Sequence, residues 1–573
     1  MGRSSLAIAI TGSGGAGAMT AGELLLRAAA TAGYYGSMNR LFGPQVRGGE
    51  SAALLQISNR PIACQPDTFD LFVALDWQKV DQFAAEIPLT ESSIILADPQ
   101  SGPVPQSVAK SKAEVVSFKM GDPEATLLER ALHGKHTNVF AAGAVGKLVG
   151  IGPTNLRAAL SAVLGSKAAD VRRTNAASLE KGIAAAESLA LDLELAPPRP
   201  AQRWLLTGNQ AIAIGSLRGG IRFVACYPIT PATDLVEWLA PRLQQLGGKL
   251  VLAEDELAAI NMVLGASFGG VPAMTVTSGP GLSLMVEAIG LGVAAEVPAV
   301  IVDVMRGGPS TGIPSKTEQS DVNLAIYGGH GDAPRIVLAP TSVRDCLFTG
   351  EWAVYLAESL QTPVIVLSDQ ALGQALQVVD PKPNRPLPLA RRTELPSGKF
   401  RRYAIDSDPV TAMPRPGTPH GQWIGEGLTH NEFGIPVSGA AAHAAQLDKR
   451  ARKLAQFDPG SLWGDVWGDG DTAILTFGSG IGAAQEAACA LGAAGAPTRV
   501  IGLRVLSPLP LRELAGALEG ARRIIVMEQN KGAQLYHQLL AHKAIPQTAD
   551  SMARPGPLPF RPAEIAARLA ALG

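Results

Sequence analysis

Residues 226–231 read Cys226-Tyr227-Pro228-Ile229-Thr230-Pro231, and their reading decides the fold. The run closes a buried strand at 221–226 and opens a helix at 232–245. Pro231 suits the first helical position, where its missing N–H costs nothing, and Thr230 suits the N-cap. Outward from this turn the alternation continues, with strands at 249–253, 273–277, 298–305, 336–339 and 363–367 and helices at 254–268, 281–292 and 343–359. Strands that are apolar throughout, alternating with helices of this length, predict a parallel sheet covered on both faces. Such a doubly wound layer binds its ligands outside the carboxyl ends of its strands.

The same scheme flanks this block on both sides. Before it come strands at 6–11, 52–57, 70–75 and 93–97, a helix at 18–32 and a helical stretch at 138–192. After it come strands at 472–477, 498–503 and 524–528 with helices at 481–491 and 511–518. Two proline-rich seams separate the blocks, Ala196-Pro197-Pro198-Arg199-Pro200 and a longer one at 381–467. Proline-rich stretches favour extended, poorly packed backbone and read as linkers. The expectation is an α/β chain of three doubly wound, mainly parallel-sheet domains at 1–195, 203–380 and 468–573, with 381–467 as a linker.

Composition narrows the function. With 573 residues the chain can hold three or four domains of ~150 residues. Lys and Arg number 49 against 50 Asp and Glu, a net charge of -1 that argues against a nucleic-acid or anionic-membrane surface. The four cysteines, Cys64, Cys226, Cys346 and Cys489, lie far apart without a C-x-x-C pair. A disulfide framework, a zinc site or a cysteine-held cluster within this chain is therefore not expected, and the setting reads as reducing and cytoplasmic. No apolar run approaches the ~18 residues of a membrane span.

Near the N-terminus, Gly12-Ser13-Gly14-Gly15-Ala16-Gly17 fits G-x-G-x-x-G between a strand and a helix. Glycines there let backbone N–H groups approach a phosphate at a helix N-terminus. The dinucleotide fingerprint also needs an acidic residue roughly 20 positions on. Residues 31–40 offer Tyr34-Tyr35-Gly36-Ser37-Met38-Asn39 and no carboxylate, so NAD is rejected. A phosphate cradle and a tight strand–helix turn both remain open. Beyond it, Arg47 between Val46 and Gly48-Gly49 could hold an anion bidentately, or could be an exposed loop arginine.

The central block carries the chemistry. Glu254-Asp255-Glu256 ends the second strand, Thr277-Ser278-Gly279-Pro280-Gly281 follows the third, and Met305-Arg306-Gly307-Gly308-Pro309-Ser310-Thr311-Gly312 follows the fourth, running on to Lys316 and Asp321. Neighbours one or two apart on a helix do not share a face, so at most one of the three acids enters the crevice. Acidic first turns and capped helices are common singly. A hydroxyl, a carboxylate, a small-residue loop and an arginine at four consecutive strand ends describe a site.

These four motifs resemble the α subunit of 2-oxoacid:ferredoxin oxidoreductases. The first block is similar to that family's γ component, through 12–17 and 43–51, and the last to a transketolase C-terminal-like domain. The chain thus resembles a fused γ–α subunit, most similar to the 2-oxoglutarate branch. The resemblance implies thiamine diphosphate, whose aminopyrimidine ring is activated by a carboxylate. It makes Glu256 that carboxylate, with Glu254 as rival, places Tyr227, Pro228, Ile229, Ser278 and Gly279 around the cofactor, and gives Thr230 and Arg306 to the 2-oxoacid group. Lys316 is the expected second cation for a dicarboxylic substrate. Arg47, Gly48 and Gly14 are the expected contacts for coenzyme A.

The resemblance also implies what other chains supply. Gly468-Asp469-Gly470 precedes a strand and is followed by no Asn-Asn pair, so it reads as a turn and not as a diphosphate site. A β subunit is then expected to carry Mg2+, the diphosphate contacts and a [4Fe–4S] cluster in an (αβ)2 heterotetramer. Ferredoxin accepts the electrons, and the setting is carbon metabolism such as the reductive TCA cycle. The reaction implied is 2-oxoglutarate plus coenzyme A and oxidised ferredoxin giving succinyl-CoA, carbon dioxide and reduced ferredoxin. Two alternatives stand beside it: the same chemistry on pyruvate or another 2-oxoacid, and a non-catalytic nucleotide-binding scaffold. The Met527–Gly532 stretch reads as an ordinary strand–helix loop, and His430 as a solvated loop histidine.

Overall fold

Among the described residues, alternating apolar strands and helices fold into three sheets of eight, seven and five strands. The computed structural model describes residues 2–42, 50–78, 80–120, 136–381, 387–388 and 391–572. The chain divides into two units. The first comprises Met1–Leu206, Ala375–Lys382 and Arg561–Ala563, and the second comprises Thr207–Gln374, Pro383–Phe560 and Glu564–Gly573.

In the first unit the sheet is mixed. Ser5–Ser13 runs parallel to Leu71–Ala74 but antiparallel to Glu50–Ser58, which is also antiparallel to Tyr35–Phe42. Only seven residues join Tyr35–Phe42 to Glu50–Ser58, too few for the crossover a parallel pair needs. Leu376–Val379 adds a further antiparallel strand beside Tyr35–Phe42, although it lies far along the chain. The helix Ala18–Ala32 buries Leu24, Leu25 and Leu26 in one core with Met38, Leu55 and Ile57 of the sheet.

The second unit holds the other two sheets. In the larger, Lys249–Leu252, Phe223–Cys226, Ala273–Thr277, Ala299–Met305, Pro363–Asp369 and Ile336–Leu338 are neighbours in that order and all parallel. The edge strand Val505–Ser507 is antiparallel and arrives from the C-terminal part of the chain. The smaller sheet is built on Thr498–Leu503, Thr472–Phe477, Arg523–Glu528 and Asp550–Ala553, parallel throughout, with Gly464–Trp467 antiparallel at the edge. Ile301 and Met305 share one core with Leu475, Val526 and Leu539, so the two sheets are packed as one body.

The described part of the 381–467 seam is not the poorly packed linker its prolines suggest. It contains the helix Ala440–Ala455, and Arg402, Tyr403, Lys449 and Lys453 are buried in it. All three cations surround Glu296. Lys449 Nζ lies 2.6 Å and Lys453 Nζ 2.5 Å from its carboxylate, and Arg402 donates to its carbonyl at 2.6 Å. Charge pairing, invisible to a hydrophobicity reading, docks the segment. His430 belongs to this packing: it is 1% exposed against the Tyr403 ring, not solvated, and burial lowers its proton affinity.

Candidate functional site

The site is assembled at the carboxyl edge of the seven-stranded sheet. After Phe223–Cys226 the chain does not enter its helix at Pro231 as the sequence suggests. Ile229 O accepts the N–H groups of both Ala232 and Thr233, closing a turn around the cis Thr230–Pro231 peptide, and the helix runs Thr233–Gln245 with Ala232 at its cap. Thr230, Tyr227 and Pro228 are thereby exposed at the edge, and Ile229 is half-buried.

At the next strand end the three acids separate by role. Asp255 caps the helix Glu256–Phe268, accepting Ala258 N–H at 2.7 Å. Glu254 is exposed. Glu256 is buried and points beneath the neighbouring Thr277–Gly281 loop. A Cβ on Gly281 would sit 2.5 Å from Glu256 Oε1 and 2.1 Å from Thr277 Oγ1, so glycine is required for this approach. Ser278 is fully buried and spends its hydroxyl on Val304 O at 2.9 Å, while Gly279 begins the helix Gly279–Ala294.

Arg306 leaves the fourth strand and turns back over the first turn. Its Nη1 donates to Thr230 O at 2.6 Å and its Nη2 to Thr311 O at 2.9 Å. It is 6% exposed, and its Nε has no hydrogen-bond partner among the described residues. Burial lowers its proton affinity, while Asp321 and Asp303 oppose that shift. Asp303 lies in register with Thr277 and Leu367, fully buried, with neither carboxylate oxygen hydrogen-bonded. Burial and the nearby Asp321 charge hold its carboxyl protonated well above the usual range. Asp321 lies against the first residue of the Gly279–Ala294 helix, where its Oδ2 would be 2.6 Å from a Cβ on Gly279. Burial, then Glu318, push Asp321 up to about 6.

A cleft of about 650 Å³ opens between Gly279–Ser283, Arg306–Thr311, the Glu318–Asp321 run and a loop of the smaller sheet, Asn530–Gln534. That loop is tied to the site segment directly. Gln319 N–H donates to Gln529 O at 2.7 Å, Gln529 N–H to Gln319 Oε1 at 3.0 Å, and Asn530 Nδ2 to Gln319 O at 3.0 Å. Lys531 thus lines the cleft, whereas Lys316 does not; the Lys316 carbonyl accepts Gly307 N–H at 3.0 Å. The sequence reading passed over Lys531 because its loop reads as an ordinary strand–helix connection. It also passed over Asp303, for which a lone carboxylate inside an apolar strand was the available signal.

Elsewhere, the glycine loop at 12–17 holds a carboxylate. Asp76 accepts Ser13 N–H at 3.0 Å and its hydroxyl at 2.8 Å, and Gly14 is exposed at the turn. Arg47 and Gly48 lie outside the described residues.

Thiamine diphosphate can be tested against this geometry on its ring end. A buried carboxylate reached only past glycine, beside an exposed aromatic–proline turn, fits a flat heterocycle with an adjacent hydrogen-bonding edge. Comparison with known proteins agrees. Residues 214–436 match the family model described as pyruvate flavodoxin/ferredoxin oxidoreductase, thiamine diP-bdg, and residues 7–185 match pyruvate ferredoxin/flavodoxin oxidoreductase. The chain is 36% identical to the 2-oxoacid:ferredoxin oxidoreductase 2 subunit alpha of Aeropyrum pernix over 61% of its length, spanning 58% of that protein. It is 31% identical to a Sulfolobus 2-oxoacid:ferredoxin oxidoreductase subunit alpha, over 92% of this chain and 90% of that one. It superposes on the 2-oxoglutarate:ferredoxin oxidoreductase of Magnetococcus marinus, solved with 2-oxoglutarate, coenzyme A and succinyl-CoA bound, with a TM-score of 0.90, 34% identity and 99% coverage of each chain. A strand-end site of this make-up, in a chain matched along nearly its whole length, belongs to the 2-oxoacid:ferredoxin oxidoreductase family as an alpha-type subunit.

Proposed function

We propose that this chain is the α subunit of a 2-oxoglutarate:ferredoxin oxidoreductase that forms succinyl-CoA and carbon dioxide, reversibly, with a β subunit and ferredoxin. The observation that carries the reading is the pairing of two neighbouring strand ends. Glu256 is buried beneath Gly281, and Arg306 reaches over the Thr230 carbonyl with a buried, unpartnered Nε–H. Thiamine diphosphate, when bound, supplies a carbon nucleophile and an electron sink for decarboxylation. Glu256 holds and returns a proton at its carboxylate, against the aminopyrimidine edge. Tyr227, Pro228, Ile229, Ser278 and Gly279 shape the surrounding wall.

Arg306 binds the 2-oxoacid carboxylate, where a fixed guanidinium gives a directional, charge-assisted contact. Thr230 meets the oxo group from the exposed turn. The solved relative bound to 2-oxoglutarate supports a dicarboxylic substrate, and the cation lining the cleft with Arg306 is Lys531. We assign Mg2+, the diphosphate contacts and the [4Fe–4S] cluster to the β subunit, in an (αβ)2 assembly. Coenzyme A is a co-substrate, with Gly14, Arg47 and Gly48 as proposed contacts.

The test is to co-express the chain with its β subunit, purify anaerobically and follow viologen reduction. The expected result is reduction that needs coenzyme A and prefers 2-oxoglutarate to pyruvate. A preference for pyruvate reassigns the substrate, and failure to bind thiamine diphosphate with the partner present returns the chain to a scaffold role.

A further inference from the structure

The reaction proposed above, on which this inference rests, must expel one proton per turnover. The dianion 2-oxoglutarate, the thiol of coenzyme A and two oxidised one-electron acceptors give succinyl-CoA, carbon dioxide and two reduced acceptors. The C–C bond to the carboxylate breaks, the S–H bond breaks, a C–S bond forms and two electrons leave. Charge balances only with one H+ released. Glu256 cycles its proton and cannot be the net exit.

We propose that Asp321 is the base that accepts the thiol proton of coenzyme A and passes it to solvent, with Asp303 behind it and Glu318 beside it as positioning residues. Three carboxylates lie in a graded series of burial at this one wall. Asp303 is fully buried, Asp321 is mostly buried yet lines the cleft, and Glu318 is half-buried on the same lining. Among the described residues Asp321 Oδ2 has no hydrogen-bond partner, nor has either oxygen of Asp303. Independently of the acids, Arg306 presents a nine-tenths-buried, unpartnered Nε–H in the same wall, so the cleft has a donor as well as an acceptor.

The charges around Asp321 come from every side. Arg306 and Asp303 belong to the fourth strand and its exit, Glu318 to its own segment, Glu256 to the helix under the same glycine loop, and Lys531 to the loop across the cleft. Burial is the largest effect, Glu318 adds to it, and Arg306 moderates both, leaving Asp321 near 6. Asp321 is thus ionised at neutral pH and ready to accept, yet basic enough to take the proton in the transition state.

The experiment pairs Asp321→Asn and Glu318→Gln in the αβ complex with an infrared titration of the full α chain. With 2-oxoglutarate pre-bound, Asp321→Asn is expected to slow the coenzyme A-triggered step by about 100-fold or more. It should also abolish the acid limb near pH 6 while leaving the KM for 2-oxoglutarate unchanged. Glu318→Gln, a conservative change in the cleft wall, should move that limb to lower pH. The infrared spectra should show one carboxyl band that persists well above the usual carboxylate range and that Asp303→Asn removes, and one titrating near 6 that Asp321→Asn removes. An acid limb unchanged in both variants, or Asp321 ionised down to the usual carboxylate range, overturns the assignment. If the wild-type pair does not turn over 2-oxoglutarate although the infrared titration is as described, the reaction reading fails and the thiol role falls with it.

Discussion

Glu296, just before the Ala299–Met305 strand, and Asp303, near its far end, are both fully buried carboxylates, yet they keep different company. Glu296 has two lysines on its carboxylate, Arg402 on its carbonyl, and no unpaired oxygen. The Asp303 carboxyl has no hydrogen bond among the described residues, beside an arginine that spends its two Nη groups on main-chain carbonyls. A buried polar group left without a hydrogen-bond partner costs about 1–3 kcal/mol even when neutral, so a fold keeps one only where something else requires it. The saturated end fastens the described part of the 381–467 segment to the sheet. In the function proposed above, the unsaturated end is where substrate and cofactor groups complete the hydrogen bonding.

The largest effect expected from that contrast is chemical and falls at the strand-end site. Glu256→Gln keeps the shape but removes the carboxylate proposed to hold the proton. It should cut 2-oxoacid-dependent viologen reduction by roughly 10²–10⁴-fold while leaving the thermal midpoint of the chain within about a degree. A variant with more than a tenth of wild-type activity would remove Glu256 from the mechanism.

At the other end the same kind of substitution should act on stability alone. Glu296→Gln leaves Lys449, Lys453 and Arg402 buried without their counter-charge. The expected loss is about 3–5 kcal/mol in chemical unfolding of the full chain, the cost of breaking a buried pair. Specific activity of the fraction that remains folded should be unchanged. If activity falls in proportion to nothing but Glu296, the comparison between a structural and a functional end collapses.

A smaller effect distinguishes the two lysines. Removing one charge-assisted contact to the distal carboxylate costs ~1.5–3 kcal/mol, or about 10–100-fold in kcat/KM. Lys531→Met should lower the 2-oxoglutarate-to-pyruvate preference by that factor, and Lys316→Met should leave it unchanged. The reverse result restores the assignment made from sequence.

Most of the second unit was legible because its signals are local. The apolar strands at 273–277 and 472–477 and the helices at 281–292 and 343–359 follow from periodicity alone. The placement of Glu256 was legible only in part: spacing admits one of the three acids to the crevice, the choice of Glu256 over Glu254 came from the family resemblance, and the cap at Asp255 is visible only in the structure. What escaped was long-range. Leu376–Val379 pairs with a strand more than three hundred residues earlier, and the Asn530 loop reaches the Gln319 segment from two hundred residues away. The 381–467 seam escaped for another reason: arginines and lysines read as solvated unless their counter-charge, here Glu296, is known to be buried opposite them.

The two ends should also bend the stability of the chain with pH in opposite directions. Burial, with Glu318 adding to it, raises Asp321 from its ordinary 3.8 to about 6. The folded chain therefore keeps a proton that the unfolded chain has lost, and stability falls as pH rises from 3.8 to about 6. Lys453 is the converse case. Burial lowers it from 10.5 to about 7, against the pull of Glu296 and helped by Lys449 and Arg402. The unfolded chain then keeps the proton, and stability rises from about pH 7 to 10.5. One proton sets a limiting slope of ~1.4 kcal/mol per pH unit in each window. Urea midpoints measured across both windows should therefore dip near pH 6 to 7. Asp321→Asn should flatten only the acid side, and Lys453→Met only the alkaline side. A single variant that flattens both would mean the two clusters titrate as one and are not independent ends of a strand.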